Sequence, residues 1–158
     1  MPALTSSKRN IAEYLSGYVD GEGCFSVSFS RRSKLLVGWE TKPSFSVSQN
    51  QDRAEVIILI KKFLGCGYIR RDYSDKTLKL EVRSIDDLIE KVIPHFQKYP
   101  LISSKRKDFE HFSKICAMVV KRKHLNKNGL KKIVQMAYKM NPSGKRRYKQ
   151  GDILKGLN

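Results

Sequence analysis

Apolar side chains near the start of the chain recur every three or four positions between residues 11 and 19. This spacing predicts an amphipathic helix with one buried face. Asn10, with Glu13 three positions later, resembles a capping box, which indicates that the helix begins there. Gly21 and Gly23 predict its end, because glycine commonly follows the last helical turn.

Beyond these glycines the apolar residues change to a period of two, which is typical of strands with one buried face. Phe25 to Phe29 alternate with serines, and a second alternation follows in residues 42–48, after a basic loop that contains Lys34. The two segments predict paired strands with one apolar face and one polar, basic face.

The same order of elements is then repeated. Asp52 with Glu55 resembles a second capping box, and the apolar stretch 56–64 predicts a helix that Gly65 closes. A second pair of strands is expected after this helix.

The remainder of the chain completes this pattern with strands at 67–72 and 77–83 and a series of helices. Ser84 begins a helix that Pro94 ends, because proline lacks a backbone N–H. Two further helices are predicted over about 104–121 and 128–140. The order is therefore α-β-β-α-β-β-α with an extra C-terminal helix, an α+β fold.

One domain accounts for most of the chain, over residues 10–141. Residues 1–9 are expected to form a flexible N-terminus, because they are polar and match neither period. Residues 142–158 are expected to form a basic C-terminal tail.

Lysine and arginine outnumber aspartate and glutamate by 32 to 15, which gives a formal net charge of +17. Such an excess repels itself and is usually neutralised by a polyanion, nucleic acid before an anionic membrane. No apolar run approaches the roughly 18–20 residues of a membrane span, and no signal peptide precedes the first helix. We therefore expect a soluble, intracellular protein without a membrane partner.

The segment 15–23, with the sequence Leu-Ser-Gly-Tyr-Val-Asp-Gly-Glu-Gly, places two acidic side chains at the end of the first helix. Carboxylates are disfavoured there by about 0.3–1 kcal/mol, because backbone carbonyls concentrate negative charge at a helix C-terminus. A local rule broken in this way tends to mark a functional site. Carboxylates together with free carbonyls indicate a site for a hard cation such as Mg²⁺.

Small residues form a flat face on the same helix, where Gly17 and Gly21 lie four positions apart with Ala12 and Ser16 nearby. Such a face packs closely either against the protein's own sheet or against the same helix of a second copy. In the second arrangement two Glu22 carboxylates converge and need cations between them. That is the layout for hydrolysis of a phosphodiester with bound metal.

The segment 15–23 resembles the nine-residue motif of the LAGLIDADG homing endonucleases, and the order of elements agrees with their fold over about residues 8–140. The resemblance implies a saddle of antiparallel strands over double-stranded DNA. It identifies Glu22 as the metal-binding acid, with the backbone carbonyl of Gly21 beside it, and Asp20 as a structural position. Mg²⁺ is the expected cofactor, with Mn²⁺ as a substitute. Because the chain has one motif, it is similar to the homodimeric members.

The resemblance extends to three further candidate catalytic residues. Residues 45–53 are similar to the family segment that supplies a water-positioning glutamine and an arginine, here Gln49 and Arg53. Residues 100–107 resemble the segment that supplies an active-site lysine, here Lys105. Glutamine would orient the attacking water, and the cations would offset charge on the phosphate. Taken one at a time, Lys105 and Arg53 are also explained as surface charges.

The polar faces of the predicted strands suit the major groove of B-DNA, which admits a two-stranded antiparallel ribbon. An ordinary solvated sheet face is the alternative. The candidate DNA-binding residues are Ser26, Ser28, Ser30, Arg32, Glu40, Lys42, Ser44, Ser46, Arg70 and Asp72.

The resemblance implies an intron-encoded endonuclease that cuts both DNA strands at a long pseudo-palindromic site and leaves short 3′ overhangs. The alternatives are a maturase that binds group I intron RNA and a DNA-binding regulator that keeps the fold without cutting. A different nuclease site, built from Asp72 and Glu81, is weaker, because Arg83 stands where a lysine is usual. A chloroplast or mitochondrial matrix and a bacterial cytoplasm fit equally well.

Overall fold

The computed structural model describes residues 10–158, so the predicted flexible N-terminus lies outside the described residues. No helix in this described part is long and apolar enough to cross a membrane. The elements follow the predicted α-β-β-α-β-β-α order, with additional helices after it. They are α1 (Ile11–Glu22), β1 (Gly23–Arg31), β2 (Trp39–Asn50), α2 (Glu55–Leu64), β3 (Tyr68–Asp72), β4 (Thr77–Val82), α3 (Ile85–Asp87), α4 (Ile93–Lys98), α5 (Lys105–Val120), α6 (Lys127–Ala137) and α7 (Gln150–Leu154).

The four strands form one antiparallel sheet in the order β1-β2-β4-β3. Ser26 pairs with Ser44 and Phe25 with Phe45, so like side chains face each other across the first two strands. Because successive residues of a strand point to opposite faces, this register places serines and charges on one face and apolar side chains on the other. The α+β architecture predicted from the alternation is confirmed.

The helices cover the apolar face of the sheet, where aromatic rings form the centre of the core. The ring of Phe25 lies 5.3 Å from the rings of Phe45, Phe96 and Phe109 and 5.2 Å from that of Phe112. These offset and edge contacts add about 0.5–1.5 kcal/mol per pair to the burial of the rings. The polar face of the sheet is thereby left open to a partner.

Two predicted helix boundaries are wrong. Asp52 does not cap α2, because a 3₁₀ turn over Gln51–Arg53 precedes the helix and Ala54 occupies its N-cap. Pro94 does not end a helix but lies in the first turn of α4. A wide π-helical turn over Leu88–Val92 joins α3 to α4, and it gives the proline ring room that a regular α-helical turn lacks.

The C-terminal segment packs into the same core as the rest of the chain, which the prediction of a basic tail did not anticipate. Ile153 and Leu157 are buried, and the ring of Tyr148 lies 4.9 Å from that of Trp39. Asn141 Nδ2 donates to Phe25 O at 2.7 Å. The segment from residue 141 onwards therefore covers the outer edge of the sheet, which protects β1 from pairing with another chain.

Candidate active site and nucleic-acid interface

The acidic end of α1 joins β1 without a loop. Gly23 is extended (φ −86°, ψ 164°), and its N–H donates to Val19 O. A Cβ at Gly23 would lie 2.5 Å from a methyl group of Val19, so only glycine fits this sharp exit from the helix. Glu22 is exposed, and its carboxylate makes no hydrogen bond or ion pair with any other residue of the described range 10–158. Its carboxylate is therefore available to a ligand.

Asp20, the other acid of the motif, has a structural role, as predicted. Its Oδ2 accepts from the backbone N–H groups of Ile102 at 2.9 Å and Ser103 at 3.0 Å, and its Oδ1 accepts from the Ser103 hydroxyl. Partial burial raises the pKa of this carboxyl, but the bonds from Ser103 and Ile102 and the charge of Lys105 outweigh it and lower the pKa. Asp20 thus fastens the end of α1 to the segment that leads into α5.

Lys105 reaches the end of α1 from the first turn of α5. Its Nζ donates to Val19 O at 2.9 Å and to Gly23 O at 2.6 Å. A cation is favoured at a helix C-terminus, where carbonyl groups lack intrahelical donors. An ammonium group has three donors, so one N–H of Lys105 remains free for an anion. The structure therefore brings Lys105 and Glu22, two of the predicted residues, to the same helix end.

Gln49 lies on the other side of α1, where it contacts Tyr18. Its Nε2 donates to Tyr18 Oη at 2.8 Å, and its Oε1 accepts from Asn50 N at 2.8 Å. Burial raises the pKa of Tyr18, and the negative charge of Glu22, one helical turn away, adds to that rise. The amide of Gln49 is thus held in one orientation near Glu22, with one N–H of its NH₂ group free.

Arg53 shares a groove with Gln49, lined also by Tyr14, Tyr18 and Leu59. Its guanidinium is exposed and has one weak contact, with Asp52 Oδ1 at 3.7 Å. The structure therefore places Arg53 near the predicted site but does not hold its side chain at Glu22. Tyr18, which orients Gln49, was missed, because its helical spacing indicated a buried apolar contact and its partner is distant in sequence.

The residues at the end of α1 fit a divalent cation only in part. Glu22 supplies a free carboxylate, and the carbonyl groups of the last turn, Gly21 among them, lack intrahelical donors. No cluster of three or more His, Cys, Asp or Glu side chains suited to a metal occurs within residues 10–158. Oxygen ligands of this kind suit Mg²⁺, which keeps several waters and commonly binds through one or two carboxylates plus substrate phosphates. The described residues of one chain thus offer only part of a donor set.

The predicted dimer face of α1 needs a correction. Gly17 and Gly21 are exposed, with open space around an added Cβ. Ala12 and Ser16 are buried within the chain, and Ser16 Oγ donates to Tyr99 O at 2.7 Å and contacts His95 Nε2 at 3.1 Å. These two residues therefore cannot face a second copy. Ala12 with Ser16, and Gly17 with Gly21, each span one helical turn, but the two pairs lie on different sides of α1. The size of a side chain does not by itself show which side of a helix is buried.

The predicted DNA-binding residues share the polar face of the sheet. The register pairs Ser28 with Lys42, Ser30 with Glu40 and Arg70 with Lys79. Most of these side chains are exposed or half-buried, as an interface requires. Ser46 does not fit the prediction, because only 9% of its surface is exposed.

Several residues of this face bind one another. Ser26 Oγ lies 2.8 Å from Ser44 Oγ, and Arg32 Nη1 donates to Glu40 Oε1 at 2.9 Å. Asp72 Oδ1 accepts from the N–H of Ser74 at 2.9 Å, and these bonds within the β3–β4 turn lower the pKa of Asp72. A nucleic acid would therefore meet side chains whose positions are already fixed.

Glu81 carries the largest network on this face. Its side chain is 5% exposed and lies within 3.5 Å of the charged groups of Arg70, Lys79 and Arg83. A carboxylate surrounded in this way has no free lone pair for a metal, which argues against the weaker nuclease site that the sequence also allowed. Sequence alone gave no signal for this network, because its members come from two strands and a loop.

A family model described as LAGLIDADG endonuclease matches residues 15–116. The "Probable intron-encoded endonuclease 2" of Neurospora crassa is 31% identical over 129 residues, which are 81% of this chain and 28% of that protein. The chain thus spans little more than a quarter of that relative. Among solved structures, "a homing endonuclease, I-TnaI" has a TM-score of 0.85 at 33% identity over 93% of this chain and 97% of that one.

The structure of "the I-LtrWI LAGLIDADG homing endonuclease bound to target DNA" has a TM-score of 0.81 at 35% identity and covers 83% of this chain. This chain corresponds to 44% of that longer one. The motif at residues 15–23, the αββαββα order and the matched family model agree with one another. The chain belongs to the LAGLIDADG endonuclease family.

Proposed function

We propose that this protein is an intron-encoded, site-specific DNA endonuclease that hydrolyses a phosphodiester bond in each strand with a divalent metal. The observation that carries the proposal is the free Glu22 carboxylate at the C-terminal end of α1, the helix end at which the ammonium of Lys105 also binds carbonyl groups. A carboxylate is electrostatically disfavoured at that helix end, and an acid kept there despite this cost indicates a function. The names of the family and of its DNA-bound members support DNA as the substrate.

The reaction class follows from the groups at this end of the helix. Glu22, with the backbone carbonyl of Gly21, would hold Mg²⁺, and Mn²⁺ should replace it because both accept oxygen ligands. When bound, such an ion lowers the pKa of a water and stabilises charge on the phosphate. The residues of the chain supply the rest of the chemistry.

Gln49 is suited to orient the attacking water, because Tyr18 and Asn50 fix its amide while one N–H stays free. Lys105 is held with its third N–H available to a phosphate oxygen, where it offsets developing negative charge. The water oxygen bonds to phosphorus as the bond to the leaving sugar oxygen breaks. Arg53, whose side chain is exposed, would join the site only when DNA is bound.

A second copy of the chain would complete the site. Gly17 and Gly21 leave an exposed strip on α1 along which the same helix of another copy can approach closely. Such a dimer places two Glu22 carboxylates together and two polar sheet faces in line. Two-fold symmetry then implies a long pseudo-palindromic target, with cuts offset to leave short 3′ overhangs. That this chain matches 44% of a longer DNA-bound relative supports two units per site.

The maturase and the regulator remain the competing functions. Neither needs a free carboxylate at a helix end, nor a glutamine held for a water. Relatives named as intron-encoded support an origin in a mobile intron. The compartment, organelle matrix or bacterial cytoplasm, stays a prediction.

The test is to incubate wild type and Glu22→Gln with Mg²⁺ and genomic DNA from a close relative that lacks the intron, and to sequence the new ends. Discrete paired ends with the wild type alone are expected, whereas the variant should still bind the same DNA. Glu13→Gln, an exposed acid at the other end of α1, is the matched control and should cut normally. Tight binding without discrete ends for any of the three proteins would contradict the proposal and favour RNA binding or regulation.

A further inference from the structure

The carboxylate of Glu81 is a buried anion on the face that we assign to DNA. Its Oε1 accepts from Arg70 Nε at 3.1 Å and contacts Arg70 Nη2 at 3.0 Å and Lys79 Nζ at 3.5 Å. Its Oε2 accepts from Tyr68 Oη at 2.6 Å and contacts Arg83 Nη2 at 2.9 Å. Every partner comes from β3, from β4 or from the residue just after β4.

A negative charge here opposes the attraction of phosphate, so the arrangement does not serve affinity for the DNA backbone. Burial raises the pKa of Glu81, but the bonds from Tyr68 and Arg70 and the charges of Arg83 and Arg70 lower it, so the group is ionised at neutral pH. An ionised carboxylate that organises three cations restricts their motion. Restriction before binding reduces the entropy lost when those side chains contact a partner.

Arg70 shows what the restriction leaves available. Its guanidinium has five N–H donors, of which Nε–H and one N–H of Nη2 point to Glu81. Of the three that remain, one on Nη1 and one on Nη2 lie along the edge between these atoms, and the third, on Nη1, points towards the Cδ side. The side chain is 44% exposed. Two parallel donors on one edge match the O6 and N7 acceptors of guanine in the major groove.

We propose that Glu81 is a positioning residue for sequence recognition, and that it holds Arg70 so that the free edge of its guanidinium reads one guanine in each half of the target. The inference rests on the proposed function, because it assumes that the polar sheet face lies in a major groove. According to this inference, Arg70 contacts a base and not a phosphate. The inference also gives a function to an acid that the cleavage reaction does not use.

The competing explanation is that Glu81 forms a purely structural ion pair. A second acid on the same face of the sheet provides a matched control. Glu40 lies on the same face and also pairs with two cations, Arg32 and Lys42. Its side chain is 28% exposed, compared with 5% for Glu81, so it holds its partners less firmly. Glu81→Gln and Glu40→Gln change the net charge equally, and simple electrostatics would treat them alike.

The experiment selects bound duplexes from a randomised DNA pool and sequences them. All proteins carry Glu22→Gln, so that binding is measured without cleavage. The compared proteins are this background alone and the same background with Glu81→Gln, Arg70→Lys or Glu40→Gln. Arg70→Lys keeps the charge and removes the planar fork, and it does not depend on how well Glu81→Gln folds. Urea unfolding of each variant reports its stability.

The background protein should select a motif with a guanine at one symmetry-related pair of positions. Glu81→Gln and Arg70→Lys should lower the preference for guanine there at least about fivefold, the lower end of what one bidentate arginine contact discriminates. Both should leave the other positions unchanged. Glu40→Gln should keep the guanine at that pair of positions, and any change that it causes should fall at other positions, because Glu40 itself lies on the face assigned to DNA. Adding Glu81→Gln to Arg70→Lys should cause no further loss, because the two side chains act as one unit.

A guanine preference that survives Glu81→Gln but not Arg70→Lys would overturn the positioning role. An equal loss at every position, in step with a fall in stability, would show that Glu81 only supports the fold. A pool that yields no motif with the background protein would contradict site-specific binding itself, and with it this inference.

Discussion

The two αββ units of the fold, α1-β1-β2 and α2-β3-β4, each begin with a helix whose C-terminal end is met by a lysine. Lys105 Nζ donates to Gly23 O at 2.6 Å after α1, and Lys91 Nζ donates to Gly65 O at 2.9 Å after α2. The charges on the helices differ, because the last turn of α2 carries Lys61 and Lys62 whereas that of α1 has no basic residue.

The feature that both units share, a lysine at the helix end, supports the fold, whereas a feature found in only one unit is a candidate for the reaction. A lysine at a helix end satisfies carbonyl groups and agrees with the dipole in both units. Only α1 adds carboxylates, and of these Asp20 is tied to Ser103 while Glu22 is free. The feature that distinguishes α1 is thus the unpaired acid at a helix end that a lysine also reaches.

Replacing each lysine by methionine should give the largest contrast between the units. Lys105→Met should lower the rate of DNA cleavage about 10²-fold or more, because it removes a cation beside the scissile phosphate. Lys91→Met should change the rate less than about twofold. The measurement is single-turnover cleavage of the selected site. Equal losses for the two variants would mean that Lys105 acts only through the fold.

Replacing an acid at each of the two helices should change the free energy of unfolding by different amounts. Asp20→Asn should lower the free energy of unfolding at pH 7 by about 1–2 kcal/mol, because charge-assisted bonds to Ser103 and Ile102 are weakened. Asp52→Asn, an exposed acid before α2, should cost less than about 0.5 kcal/mol. Urea titrations of both variants and the wild type measure the difference.

The pH dependence sharpens this second test. The pKa of Asp20 is lower in the folded chain than in the unfolded one, so the stability it adds is complete above the unfolded pKa of about 3.9. That stability is lost as the pH falls through the lower, folded value. The gap between wild type and Asp20→Asn should therefore narrow in urea titrations below about pH 4. A gap that is constant down to pH 3 would contradict the charged role.

The glycines at the two helix ends should give the smallest effects, and of opposite sign. Gly65 has φ +68°, so Gly65→Ala should destabilise the chain by about 1 kcal/mol through backbone strain. Gly21 is helical with open space around it, so Gly21→Ala should stabilise the single chain by up to about 1 kcal/mol. Sedimentation velocity should nevertheless show weaker self-association of Gly21→Ala. An unchanged association constant would move the dimer contact away from α1.

Sequence periodicity predicted the faces of the sheet well, because residues two apart stay on one face wherever a strand begins or ends. It was weaker where the answer depends on distant packing. Ala12 and Ser16 are small, but whether a small residue faces solvent or the core depends on elements such as the segment at Tyr99. Pro94 lies in the first turn of α4 after a π-helical turn, a change of helix type that the local sequence pattern does not reveal.

The candidate site was predictable to the extent that it is local. Glu22, Asp20 and Gly21 lie in one continuous motif, and the family resemblance added Gln49 and Lys105. The roles of Tyr18 and Glu81 require knowledge of which strands meet. The burial of Ile153 and Leu157 was not predicted either. Charged neighbours dominate the composition of the C-terminal segment, and this composition indicated a solvated tail.

The most direct test asks whether one acidic helix end per chain forms half of a two-copy site. Wild type and Glu22→Gln, carrying different affinity tags, are co-expressed, and the mixed species is isolated on both tags. Its substrate is a supercoiled plasmid with the selected site. A dimer that keeps only one Glu22 should cut at most one strand and leave the plasmid unlinearised, whereas wild type should linearise it. Linearisation by the mixed species at about half the wild-type rate, or full activity of a wild-type monomer, would contradict the account.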